Sequence, residues 1–97
     1  MNEQRAKGML GLAVRAREAC FGDDACRKLV SDGKCGMILL DGETGPNTRK
    51  KYEELCERTG IPLMILPRGL MAEATGRDNR VAALRKGAFA EQMAACR

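Results

Sequence analysis

Two runs of four apolar residues, Met37-Ile38-Leu39-Leu40 and Leu63-Met64-Ile65-Leu66, place the tightest limit on what this chain can become. A strand with one wet face alternates apolar and polar residues, whereas an unbroken apolar run needs cover on both sides. Both runs are therefore expected to be central strands with helices above and below. Breakers set them off. Gly36 precedes the first and the glycine-rich stretch Asp41 to Gly45 follows it; Gly60 and Pro62 precede the second.

The intervening segments supply the cover. Asn2 caps an expected helix running to about Glu18, with Ala6, Met9, Leu10, Ala13 and Ala16 on one stripe. Ala19-Cys20-Phe21 reads as a short extended piece leading to Gly22. Asp23 is read as the cap of a second helix ending near Asp32 at Gly33, with Ala25, Cys26, Leu29 and Val30 on one face. Pro46 and Asn47 open a third helix, Asn47 as its cap; Gly60 stops it and Ile61-Pro62 bars its continuation. A short helix from Leu70 to Thr75 is closed by Gly76. The polar turn Arg77-Asp78-Asn79-Arg80, a strand from Val81 to Leu84 and a helix from Phe89 to about Ala95 complete the chain. The alternation predicts a single α/β domain, a three-layer α/β/α sandwich with a central mixed sheet of about four strands.

Several function classes fit poorly. The 97 residues suffice for one core, built from Leu, Ile, Val, Met, Ala and Cys because aromatics are scarce. Five scattered cysteines, no C-x-x-C and no histidine leave no zinc pattern, and three of the five fall on apolar stripes. They read as reduced core residues of a cytoplasmic protein. The N-terminal stretch lacks the apolar region of a signal peptide, and no run approaches a membrane span of ~20 residues. No histidine can act as a general base, and no Ser or Cys sits in a recognisable nucleophile turn, so no enzyme and no cofactor is expected. Gly42 to Thr48 lies where a nucleotide-binding loop belongs. It lacks the second glycine and the lysine of a Walker A motif, and Pro46 removes a backbone donor.

Charge is more informative. The net charge is +4 and Arg outnumbers Lys, a composition suited to phosphate though also to an ordinary basic surface. In the second helix Asp24 and Lys28 lie four residues apart with Arg27 beside them, opposite the apolar face. That arrangement suits either a solubilising ion pair or a surface for phosphates and base edges. In GPNTRKKYEELCER the cations Arg49, Lys50 and Lys51 crowd the start of the third helix, where the backbone dipole favours anions. Pairs of Arg49 with Glu53 and Lys50 with Glu54 would offset this only slightly. The cluster makes sense if a phosphate backbone docks there, though charge alone fits a coincidental surface arrangement equally well.

The order of these pieces resembles a known family. Met9-Leu10-Gly11-Leu12-Ala13-Val14-Arg15-Ala16-Arg17 is followed by Gly22, then eleven residues on by Gly33-Lys34 and the strand from Met37. Asn47-Thr48-Arg49-Lys50-Lys51, Ile61-Pro62-Leu63, the stretch Leu70 to Gly76 and Ala88-Phe89-Ala90 come next. Together they resemble the kink-turn-binding ribosomal proteins that include the large-subunit proteins L-seven-Ae and L-thirty-e, in their bacterial branch.

That resemblance implies a non-catalytic RNA-binding protein, ribosome-associated, that takes a structured, kink-turn-like RNA. DNA and membranes are not expected partners, and a monomer is expected outside a ribonucleoprotein. The family's recognition turn reads Gly-x-Asn-Glu-x-x-Lys; here Gly22 and Lys28 match, while Asp24 replaces Asn and Ala25 replaces Glu. An ionised Asp only accepts hydrogen bonds and Ala makes none, so recognition is expected to rest on RNA shape and backbone. The implied RNA-binding set is Gly22, Asp24, Arg27, Lys28, Asn47, Arg49, Lys50, Lys51, Arg77 and Arg80. The rival expectation is a protein-interaction module of the same fold that has lost specific RNA binding; a small-ligand domain rests on fold analogy alone.

Overall fold

In the computed structural model, which describes residues 1–96, the two apolar runs lie side by side as parallel strands. The strands β1 (Ala19–Phe21), β2 (Cys35–Asp41), β3 (Leu63–Leu66) and β4 (Val81–Arg85) make one sheet in the order β1-β4-β2-β3. β2 pairs parallel with β3 and antiparallel with β4, and β4 pairs antiparallel with β1. The sheet is mixed and four-stranded, as expected. β3, however, is an edge strand rather than a central one. An unbroken apolar run reports two covered faces and says nothing about paired edges; in β3 Met64 and Leu66 are buried in one layer while Leu63 and Ile65 are half-buried against the other.

Five helices among the described residues make the two outer layers: α1 (Glu3–Arg15), α2 (Asp23–Ser31), α3 (Pro46–Thr59), α4 (Leu70–Thr75) and α5 (Ala88–Ala94). On one side α1, α4 and α5 bury Ala6, Leu10, Ala13, Met71 and Met93 against Met37, Leu39, Met64, Leu66, Ala82 and Leu84 of the sheet. On the other, α2 and α3 bury Cys26, Leu29, Tyr52, Leu55 and Cys56 against Ile38, Leu40, Val81 and Ala83. Each large side chain moved from water into these layers contributes about 1.5–3 kcal/mol. Four of the five cysteines are buried in this packing and Cys20 is half-buried; all five are free thiols.

Helix ends carry the departures from expectation. The Asn2 side chain accepts the Arg5 N–H at 3.1 Å, the expected cap. α1 ends at Arg15 rather than Glu18, because Arg17 turns left-handed (φ 60°) and the Glu18 N–H returns to the Ala13 carbonyl at 2.9 Å. Ala16 and Ala25, read as buried, are exposed. Gly22, not Asp23, occupies the cap position of α2; Gly45, not Asn47, occupies that of α3; neither helix has a side-chain cap. Pro46 fits the first helical position, where no N–H is needed, and so pushes Asn47 into the first turn.

Candidate nucleic-acid interface

Strand directions decide which loops meet. β1, β2 and β3 run one way and β4 the other, so the segments leaving the first three and the segment entering the fourth share one pole. Those segments are the start of α2, the start of α3, the turn into α4 and the turn at residues 76–80. Eight of the ten residues singled out from the sequence lie on three of these segments, while Arg27 and Lys28 sit farther along α2, Lys28 in its last turn. The fourth brings Arg68, which the sequence reading did not include.

Backbone and carboxylate bonds lace the pole together. The Gly22 N–H donates to the Val81 carbonyl at 3.2 Å, and the Asp41 N–H to the Arg80 carbonyl at 2.9 Å. The buried Asp41 carboxylate accepts the Glu43 N–H (2.8 Å) with one oxygen and the Gly69 N–H (3.1 Å) with the other. Gly42 admits the close approach of the two loops, since a Cβ there would stand 3.1 Å from the Leu66 carbonyl oxygen and 3.2 Å from the Arg68 nitrogen. The Asp41 carboxylate thus ties the loop leaving β2 to the turn leaving β3, and its backbone N–H joins the turn entering β4.

At the start of α2 the expected Asp24–Lys28 pair does not form. Arg27 pairs with Asp23 at 3.0 Å and Lys28 with Asp32 at 3.2 Å. Asp24 is left exposed, with no partner among the described residues. Gly22 has φ 88° and ψ 157°, a conformation costly for any side chain, and a Cβ there would meet nothing within 4 Å. The turn therefore offers an open backbone edge beside a free carboxylate, with exposed Ala25 alongside.

Asp23 faces the other way. Its carboxylate accepts the hydroxyl of Tyr52, from the middle of α3, and the Nε–H of Arg27, whose guanidinium lies 5.0 Å above the Tyr52 ring. The Tyr52 hydroxyl and then Arg27 hold the Asp23 carboxyl below the usual aspartate range, and the Lys51 charge adds to this. Tyr52 moves the opposite way: burial, and then its bond to Asp23, raise the phenol. Neither Tyr52 nor Asp23 was assigned a part in the site, because 29 positions separate them in the chain.

The start of α3 has no acidic residue in its first turn. Arg49 pairs with Glu53 at 3.6 Å as expected, but Lys50 and Lys51 are exposed and form no ion pair among the described residues. The first intrahelical bond is Arg49 N–H to Gly45 carbonyl (2.9 Å), so the Asn47 and Thr48 N–H groups precede it. Across the pole, Glu43 gathers the remaining cations: Arg68 Nε at 2.7 Å and Arg80 at 3.9 Å, while Arg80 also donates to the Glu43 carbonyl at 2.9 Å. These residues, with Asp78, Asn79 and Gly69, line a depression of about 110 Å³. Arg77 lies 5.3 Å above the Phe21 ring and so borders the Gly22 turn. The described residues hold no cluster of three or more His, Cys, Asp or Glu arranged for a metal ion.

The arrangement is one of exposed cations, open helix starts and a few acceptors on one face. Comparison with known proteins agrees with the fold that carries it. A model of the ribosomal protein L7Ae/L30e/S12e/Gadd45 family matches residues 4–91. The RNA-binding protein YlxQ of Bacillus subtilis (strain 168) is 30% identical over 74 residues, 75% of this chain and 74% of that protein. A solved structure of a protein of unknown function from Bacillus halodurans C is similar with a TM-score of 0.87 at 29% identity, covering 95% of each chain. The 15.5kD RNA binding protein of Giardia lamblia is similar with a TM-score of 0.74, over 96% of this chain and 82% of that one; at 18% identity the likeness concerns the fold alone.

Proposed function

Because the chain belongs to the ribosomal protein L7Ae/L30e/S12e/Gadd45 family, we propose that it is a non-catalytic, cytoplasmic RNA-binding protein that grips structured RNA at the pole where α2 and α3 begin. The observation that carries this reading is the pair of exposed lysines, Lys50 and Lys51, which follow directly on a first helical turn that holds no acid and form no ion pair among the described residues. Cations at that end repel the backbone dipole, and a phosphate would relieve both terms at once. The name of the Bacillus subtilis relative points the same way.

In this reading Lys28, Lys50 and Lys51 take phosphates and the Asn47 and Thr48 N–H groups add donors at the α3 start. Gly22 lets the RNA backbone come close, and Asp24 accepts from an exocyclic amino group. Arg77, Arg80 and Arg68 rim the far side. The RNA is kink-turn-like and ribosomal in this proposal, read mainly by shape because Ala25 offers no hydrogen bond to a base edge.

A second reading, a protein-interaction module, draws on Glu43, whose carboxylate already occupies Arg68 and Arg80. Salt dependence separates the two. For an RNA-binding face, Lys50→Glu with Lys51→Glu weakens binding and lowers the slope of log affinity against log salt by about two. Unchanged affinity and slope would remove these residues from the interface.

A further inference from the structure

Tyr52 is the only tyrosine of the chain and its side chain is fully buried. A phenylalanine would fill the same volume without a hydroxyl to satisfy, and a buried hydroxyl is costly unless it finds a partner. Here the partner belongs to another helix. The phenol donates to the Asp23 carboxylate, the same oxygen accepts Arg27 Nε–H at 3.0 Å, and the guanidinium covers the Tyr52 ring at 5.0 Å. Three side chains thus close a knot between the first turns of α2 and the body of α3.

We infer that this knot sets the spacing between the two helix starts, and that Asp23, Arg27 and Tyr52 are positioning residues that make the face selective for folded RNA over flexible strands. The inference rests on the RNA-binding reading above and assigns Arg27 a different part in it. Arg27 is held on two sides, by a carboxylate and by a ring, so its charge is paired with the protein's own side chains at the surface rather than with a phosphate. Asp23 stands where a helix cap was expected, yet its carboxylate is turned to α3, and α2 keeps no side-chain cap of its own. The groups facing that carboxylate are Arg27 on its own helix and Tyr52 and Lys51 on α3, and all three favour the ionised acceptor. A site whose two halves are locked before binding loses less freedom on meeting a rigid ligand of matching width. A flexible strand gains little from that lock because it adapts to either spacing.

The test compares Tyr52→Phe, Asp23→Asn and Arg27→Gln with the unaltered protein on two probes. One is an RNA duplex interrupted by tandem G·A pairs; the other is a polyuridine strand of equal length. Both are titrated over a salt series. Tyr52→Phe is expected to weaken duplex binding by between roughly twofold and thirtyfold, leaving the polyuridine affinity and both salt slopes unchanged. Arg27→Gln should likewise leave the slope unchanged, and the Asp23 titration followed by NMR should rise in Tyr52→Phe. Asp23→Asn alters only a surface group and must reproduce the duplex loss even where Tyr52→Phe folds poorly. Equal loss on both probes, or a slope lowered by about one in Arg27→Gln, would overturn the assignment. If the unaltered protein binds the duplex and Tyr52→Phe binds it equally well, the knot alone loses its role; if the unaltered protein binds neither probe, the RNA-binding reading falls and the knot's role with it.

Discussion

Asp41 is 7% exposed, and each of its carboxylate oxygens takes a backbone N–H from a different loop. An amide in its place keeps one acceptor and turns a donor toward one of those N–H groups. Asp41→Asn is therefore expected to lower stability by about 1–3 kcal/mol, read as a shift of the urea midpoint, because a part-buried donor is left unmatched. An unchanged midpoint would mean that the loops find other partners. Arg68 shows the same dependence on distant contacts. Nothing local marks it, since it lies between Pro67 and Gly69 in an ordinary turn. It reaches the proposed RNA-binding face because β3 runs parallel to β2 and leaves the sheet at the same pole.

Elements were legible wherever the signal was local. The two apolar runs became strands, and Gly60 and Gly76 close α3 and α4 in the left-handed conformation expected of helix-ending glycines. The caps of α2 and α3 were misplaced by one and two residues for a physical reason. Asp23 and Asn47 have capping side chains, but Asp23 serves Tyr52 and Arg27 instead, and Pro46 claims the first helical position. Whether a strand is central or at an edge depends on pairing between distant segments, which no short window contains. The end of α1 makes a prediction at this scale. Arg17 adopts φ 60°, which costs an L-residue about 1 kcal/mol or more, at a site where helices commonly place glycine. Arg17→Gly should raise the thermal midpoint by relieving that strain, a gain of up to about 1 kcal/mol after the added freedom of the unfolded chain. A lowered midpoint would mean that the arginine side chain holds the turn by contacts of its own.

At the scale of the whole molecule, burial governs the titration of the core. Desolvation raises the thiols of Cys20, Cys26 and Cys56, pushes Cys35 up to about 11, and raises the phenol of Tyr52. A group raised in the folded state supports stability below its unfolded pKa and loses that support as pH climbs toward the folded value. Unfolded thiols ionise near pH ~8.5, so the urea midpoint should stay level from neutrality to about that pH and then fall. A midpoint that is flat to pH 10 would contradict buried, protonated thiols. The acid limb has the opposite sign. Asp23, depressed in the folded state, supports stability above the ordinary aspartate range and loses it as pH falls through its lowered value.

The same global geometry carries the central claim, that three parallel strand exits and one entry gather the basic helix starts into a face for structured RNA. The most direct measurement is a titration of the protein with a kink-turn RNA and with a matched RNA lacking its G·A pairs, at one fixed salt concentration. The account predicts tighter binding to the kink-turn, with the difference abolished by Lys50→Glu plus Lys51→Glu. Binding to neither RNA, or a preference that survives both substitutions intact, would contradict it.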